Sequence, residues 1–146
     1  MARVTLDSVR PLLAAPSPAV LTVYRSDGSA VVAPVWFRAT ADAVEVVIAA
    51  GDGKLAHLAA DPRCVLVVFE ATPPFRGVEI RADGEVSADG VAEARLAIAS
   101  RYLGPERGRR FTEPRGDRGL VLRLPLAEAR AWDLSSSLPP AGSVSR

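Results

Sequence analysis

Between Ala19 and Phe37 the chain takes up a two-residue period and doubles back on itself. Ala19-Val-Leu-Thr-Val-Tyr24 reads as a strand, Ser26-Asp-Gly-Ser29 as a tight turn with a glycine for positive φ, and Ala30-Val-Val-Ala-Pro-Val-Trp-Phe37 as the returning strand. Thr40-Ala-Asp42 turns again into a third strand, Val44 to Ala49, so the first half of the chain is committed to an antiparallel meander. A fourth strand follows at Cys64 to Glu70 and a last one at Gly119 to Leu124, closed by Pro125. Between them, Gly77 to Val86 alternates strictly. Val78, Ile80, Ala82 and Val86 point one way and Glu79, Arg81, Asp83 and Glu85 the other, the pattern of a half-wet strand.

Helical signals interrupt this series. Leu6 to Ala15 suits a helix if Pro11 lies in its first turn. Asp52 is placed to cap a helix that runs to Ala60 and is stopped by Asp61-Pro62. Val91, Ala94, Ile98 and Tyr102 share one face of a helix over Val91 to Leu103, and a short helix follows at Glu106 to Phe111. The expected fold is therefore mainly β with inserted helices: a six-stranded antiparallel barrel, closed or split, with helices after the third and fifth strands. Closure would remove exposed strand edges, and the inserted helices make a sandwich the less natural rival. One domain over residues 1–134 is expected, with a loose Ser/Pro/Gly-rich tail over residues 135–146.

Hydrophobic residues make up 49% of the chain and aromatics 5%, so the core is built from Val, Leu, Ala and Ile. A formal net charge of +1 argues against a nucleic-acid partner, which would call for a clear basic excess. No run reaches the length of a membrane span, and the start of the chain lacks a signal-peptide pattern. The single cysteine, Cys64, sits in an apolar run and excludes an internal disulfide, which suits a reducing, cytoplasmic setting.

The chemistry-bearing residues gather behind a Gly-Asp-Gly turn. Lys54 is the only lysine and His57 the only histidine, and the two lie three residues apart at the head of one helix. Helix N-terminal amides, flexible glycines and an ammonium group together form an anion site, here Gly51, Gly53 and Lys54. Asp52 acts against this, since its carboxylate competes for the same amides; a plain capped helix with a solvated lysine is the competing reading. His57 either bonds a phosphate or ribityl hydroxyl or is an ordinary half-buried imidazole. One His and one Cys cannot make a zinc site, so no metal is expected. Pro34 implies a bulge or a sheet edge, where a flat ligand could lie against Val35 and Trp36. No nucleophile stands beside a base, so any enzymatic power must come from a cofactor.

The order of these segments resembles the pyridoxamine 5'-phosphate oxidase-like split β-barrel superfamily. The resemblance rests on Pro-Val-Trp-Phe in the second strand, a lysine-led helix ending in Asp-Pro-Arg, Pro-Pro-Phe-Arg, and a closing Ala-Trp-Asp. It is nearest to the flavin- and deazaflavin-dependent oxidoreductases of that group and runs from Ala19 to Asp133. It implies an FMN-binding-like homodimer with cofactor sites at the subunit seam. Lys54, with Gly53 and His57 beside it, would match the phosphate anchor. Pro34, Val35, Trp36, Ile48, Ala49 and Ala50 would lie along the ring system, and Pro74, Phe75 and Arg76 would come from the partner chain.

The implied activity is hydride transfer between coenzyme F420, or alternatively FMN, and a small conjugated or aromatic substrate. A non-catalytic flavin, deazaflavin or haem carrier is the alternative of another class. Leu55 and Ala56 are apolar where relatives carry polar groups, so a second phosphate ligand must come from elsewhere, with Arg63 and Arg25 the candidates. Tyr102 and His57 are the candidate proton donors.

Overall fold

The computed structural model describes residues 4–140 and 142. A 3-10 turn, Leu6–Val9, runs into α1 (Arg10–Ala14), with Pro11 in the first helical turn, where its missing N–H is not needed. Nine strands follow, interleaved with three more helices. They are β1 (Ala19–Tyr24), β2 (Ala30–Val35), β3 (Arg38–Ala39), β4 (Ala43–Ile48), β5 (Arg63–Phe69), β6 (Gly77–Asp83), β7 (Glu85–Ser87), β8 (Leu120–Pro125) and β9 (Arg130–Trp132). The helices are α2 (Gly53–Ala60), α3 (Val91–Leu103) and α4 (Pro105–Thr112).

The strands form two antiparallel sheets, one in the order β2-β1-β5-β6-β9 and the other β3-β4-β8-β7. The six expected strands are all present, and two of them prove to be shared between the sheets. The second strand leaves the first sheet after Val35, and the chain enters the second sheet as β3. The side chains flanking this corner diverge as the pleat requires: Phe37 is fully buried in the core while Trp36 stays 36% exposed.

The fifth expected strand breaks at Gly84 into β6 and β7, which belong to different sheets. A Cβ at Gly84 would stand 2.4 Å from Leu122 Cδ1, so only glycine lets the chain cross so close to β8. This corner also corrects the expected facing of Val86. It does not share the buried side of Val78 and Ile80 but is 45% exposed. The short β9 is the remaining addition, pairing Gly77 with Trp132 at the far edge of the first sheet.

The core fills the space between the sheets and under α1. Leu21, Val23, Phe37, Val44, Leu66, Val68, Leu122 and Leu124 are all fully buried in it. A smaller cluster, Val91, Ala94 and Val121, packs α3 onto the opposite side of the second sheet. Arg38 braces this joint, reaching Glu45 at 2.8 Å and Glu93 of α3 at 2.6 Å. Covered by core on one face and α3 on the other, β4 and β8 carry the near-continuous apolar runs seen in the sequence.

Ser135–Ser137 forms a single 3-10 turn, and Leu134 N–H donates to the Pro74 carbonyl at 3.0 Å. The expected loose tail lies partly outside the described residues.

Candidate functional site

A cavity of about 250 Å3 opens where the end of β2, the end of β4 and the head of α2 meet α3 and α4. Pro34, Val35 and Trp36 form one wall, with Ile48 and Ala49 beside them. Pro34 is tolerated because β2 is the edge strand of its sheet, so no ladder bond is lost on its outer side.

Lys54 reaches the same cavity from the first turn of α2. Asp52 is the N-cap of that helix. Its Oδ1 accepts the Lys54 backbone N–H at 2.9 Å and its Oδ2 the Lys54 ammonium at 3.0 Å. Burial alone would push the Asp52 carboxyl up, but the amide and ammonium of Lys54 together hold it below the ordinary carboxylate range. The pair is thus intact at neutral pH, and its contribution to stability is lost as acidity rises below that range. An anion binding to Lys54 would therefore compete with Asp52 for its ammonium.

Three further cationic and aromatic groups complete the cavity. Arg95 of α3 is 5% exposed, with Nη1 donating to the Gly116 carbonyl at 2.6 Å and Nη2 to that of Arg118. It thereby pins the loop after α4 against α3. Burial and the neighbouring Arg115 and Arg118 charges hold its pKa below the usual arginine value. Phe111 of α4 packs on Trp36 with ring centroids 5.3 Å apart, and the Arg115 guanidinium lies 3.7 Å from the centroid of Phe111. Arg95 and Arg115 were not singled out from sequence. A signal for Arg95 was present: it stands four residues after Val91 and three before Ile98, on the face that α3 buries.

Arg63 and Arg25 do not reach this place. Arg63 is engaged by Asp61 at 2.7 Å and lies over Tyr24, and Arg25 turns back onto Ser29 in the first hairpin. The cations that join Lys54 are Arg95 and Arg115 instead. Ala50, Gly53 and His57 sit near the turn but line neither this cavity nor the one beside it. Pro74, Phe75 and Arg76 also lie away from both, with Arg76 held by Glu70 at 2.8 Å and 3.0 Å.

The second cavity, about 630 Å3, shares the wall of Pro34, Val35, Trp36 and Phe111. Tyr102 lines it and stacks on Trp36 at 5.3 Å between centroids, 12° from parallel. The Tyr102 hydroxyl donates to the Ser17 carbonyl at 2.9 Å, so its proton is already engaged, and burial raises its pKa. Cys64 is buried, and burial pushes its thiol up to about 11, which leaves it unreactive at neutral pH. Among the described residues no group of His, Cys, Asp and Glu is arranged to hold a metal ion, and no helix is long and apolar enough to cross a membrane.

Two antiparallel sheets that exchange strands at two corners, with a cationic, aromatic-walled cavity at the edge of one, define a mainly β protein with a partly enclosed site. The chain belongs to the pyridoxamine 5'-phosphate oxidase family, whose model matches residues 5–133. Among solved structures, a conserved hypothetical protein from Mycobacterium tuberculosis superposes with a TM-score of 0.78 at 17% identity, over 98% of this chain and 93% of that one. An F420 reductase superposes at 0.69 with 24% identity, over 83% and 94% of the two chains. A protein from Mycobacterium smegmatis described as binding FAD and heme gives 0.70 at 19% identity, over 93% and 74%. At these identities the likeness establishes the fold. No curated protein matches the chain.

Proposed function

We propose that this protein is a cytoplasmic oxidoreductase that uses coenzyme F420, with FMN as the alternative cofactor, to reduce a small conjugated substrate. The observation that carries the reading is the convergence on one cavity of the Pro34–Trp36 wall and the side chains of Lys54, Arg95 and Arg115. A flat ring fits against Trp36 and the exposed backbone beside Pro34, and an anionic tail fits the cations. The cofactor, when bound, supplies the hydride. Lys54 would hold its phosphate, Ile48 and Ala49 would orient the ring, and Phe111 would exclude water. Arg115, together with the exposed Arg107, Arg110 and Arg118 on α4 and the loop after it, suits the longer, more anionic tail of a deazaflavin. The F420 reductase among the similar structures supports the same choice.

The cationic cavity, about 250 Å3, is by itself smaller than the roughly 300–1,000 Å3 of whole ligand pockets, so a bound cofactor would extend beyond it. The outer face of the first sheet supplies a surface for a second copy of the chain. Val20 stands opposite Pro34 and Val67, and Thr22 opposite Val32 and Val65, so these side chains share one apolar face. Val32 is 62% exposed on it. In the dimer, Pro74, Phe75 and Arg76 are contributed across the seam.

Val32→Glu, on an edge strand that tolerates the change, is expected to convert the dimer to monomer at micromolar concentration. Sedimentation velocity checks this, and a wild-type protein that already sediments as a monomer refutes the shared site. The activity itself is tested by titrating the protein with F420 and with FMN, following fluorescence. The bound cofactor is then reduced, and its reoxidation by quinone and nitroaromatic acceptors is measured. Failure of both cofactors to bind overturns the reading, and binding without reoxidation by any acceptor makes the protein a carrier.

A further inference from the structure

Trp36 walls the cationic cavity, yet neither neighbouring strand fixes it. β2 ends at Val35 and β3 begins at Arg38, so Trp36 and Phe37 form the corner between the sheets, outside both ladders. An indole at such a corner, 36% exposed, needs support from elsewhere in the chain to keep one orientation. Tyr102 of α3, sixty-five residues beyond Phe37, supplies it.

Tyr102 grips both corner residues. Its ring stacks on Trp36 with centroids 5.3 Å apart and planes 12° from parallel, and it meets Phe37 edge-on at 6.5 Å and 71°. Its hydroxyl accepts the Phe37 N–H at 3.4 Å and donates to the Ser17 carbonyl at 2.9 Å. That anchor is itself rigid: Ser17 is 6% exposed, and its hydroxyl donates to the Leu12 carbonyl at 2.6 Å. Arg101, the preceding residue, donates to the Leu13 and Ala15 carbonyls at 3.1 Å and 2.7 Å and so ties the end of α3 to that of α1. The Tyr102 ring is thus held before any ligand arrives, and it presents a fixed face to the indole.

We infer that Tyr102 is a positioning residue for the cofactor ring and acts through Trp36, whose indole plane its own ring sets. The inference rests on the function proposed above. Trp36 lines the cationic cavity and Tyr102 does not, so an effect of Tyr102 on a ligand there passes through the indole. Phe111 also packs on Trp36, but its plane is tilted by 52°, and the parallel contact is the one with Tyr102. The two parts of Tyr102 act differently. Its hydrogen bonds hold the corner together, and its stack orients the exposed side chain at that corner.

The test compares Tyr102→Leu with Tyr102→Phe in the full-length protein, alone and in a Trp36→Leu background, at a temperature where every variant is folded. Tyr102→Leu removes the stack and is expected to weaken F420 or FMN about five-fold. It should also abolish the near-ultraviolet circular dichroism of Trp36, taken as the difference from Trp36→Leu. Tyr102→Phe keeps the ring. Its Trp36 signal should stay and its affinity remain within about two-fold of wild type, although Tm falls with the lost hydrogen bonds. In the Trp36→Leu background, Tyr102→Leu should weaken the cofactor no further, because the residue through which it acts is gone. A purely structural Tyr102 gives additive losses in this cycle, or a Phe variant that loses affinity in step with its stability. Either result, or wild-type affinity in Tyr102→Leu, overturns the inference and leaves the proposed function standing. If neither cofactor binds the wild type, the proposed function falls, and the Trp36 signal still decides whether Tyr102 sets the indole. Its persistence in Tyr102→Leu overturns that role, and its loss keeps the role and removes only the cofactor ring as what it serves.

Discussion

Arg95→Met is expected to lower the unfolding free energy by about 3 kcal/mol, roughly a 10 °C fall in Tm for a chain of this length. Methionine keeps most of the side-chain volume, so the loss isolates what the guanidinium does. In the native protein its two terminal nitrogens donate to the Gly116 and Arg118 carbonyls, twenty-one and twenty-three residues further along the chain. Hydrogen bonds from a charged donor are worth about 1.5–3 kcal/mol each, and the carbonyls left behind recover part of this by taking up water. Arg95→Lys should recover less than half of the loss, because a point charge on a flexible stem cannot bridge two carbonyls as a planar fork does. Urea unfolding of the three proteins measures the effect. A Met variant as stable as the wild type would mean that the loop after α4 is held by something else. The same variant frees that loop, which carries Arg115 at the cavity, so cofactor affinity should fall with stability.

The second large effect concerns binding. Lys54→Ala should weaken the binding of F420 or FMN by about 1–3 kcal/mol, the worth of a charged hydrogen bond, or roughly five- to 150-fold in Kd. Asp52 sharpens this prediction, because its carboxylate lies 3.0 Å from the ammonium and neutralises it in the free protein. Removing Lys54 deletes the attraction and also leaves a carboxylate facing the phosphate. Asp52→Asn should act the other way. Asparagine caps a helix about as well as aspartate, so α2 keeps its first turn, while the ammonium is released to the ligand. Tighter binding in Asp52→Asn with weaker binding in Lys54→Ala identifies Lys54 as the anchor. Fluorescence titration of both variants at one salt concentration reads this directly. Unchanged affinity in Lys54→Ala removes the anchor role and leaves Arg95 and Arg115 as the anion-binding groups.

Much of the cavity was legible before the fold was. Pro34, Val35, Trp36, Ile48, Ala49 and Lys54 were expected together, and the structure brings them to one cavity. Their nearness in the chain made this readable, although the packing of the two sheets completes it. A corner, a tight hairpin, a turn and a capped helix join them within twenty-one residues, and of these the hairpin, the turn and the cap follow local backbone preference. Asp52 as a cap and Val91–Leu103 as a helix with one buried face were readable for the same reason. The arginines were not, since Arg95 and Arg115 meet Lys54 only through packing across more than forty residues of chain. Arg63 and Arg25, nearer in sequence, turn to Asp61 and Ser29 instead.

The sequence by itself determined the period, the order and the ends of most elements, because a strand's two-residue alternation and a helix's cap are properties of a few neighbouring residues. Which sheet each strand joins was decided only in three dimensions. Gly84 divides one alternating segment between two sheets because β8 comes too close for any side chain. The turn after Val35 carries Phe37 into the core and leaves Trp36 between the two cavities. Neither outcome has a local cause. Periodicity tells a residue which way to face, and only the packing of distant segments decides what it will find there.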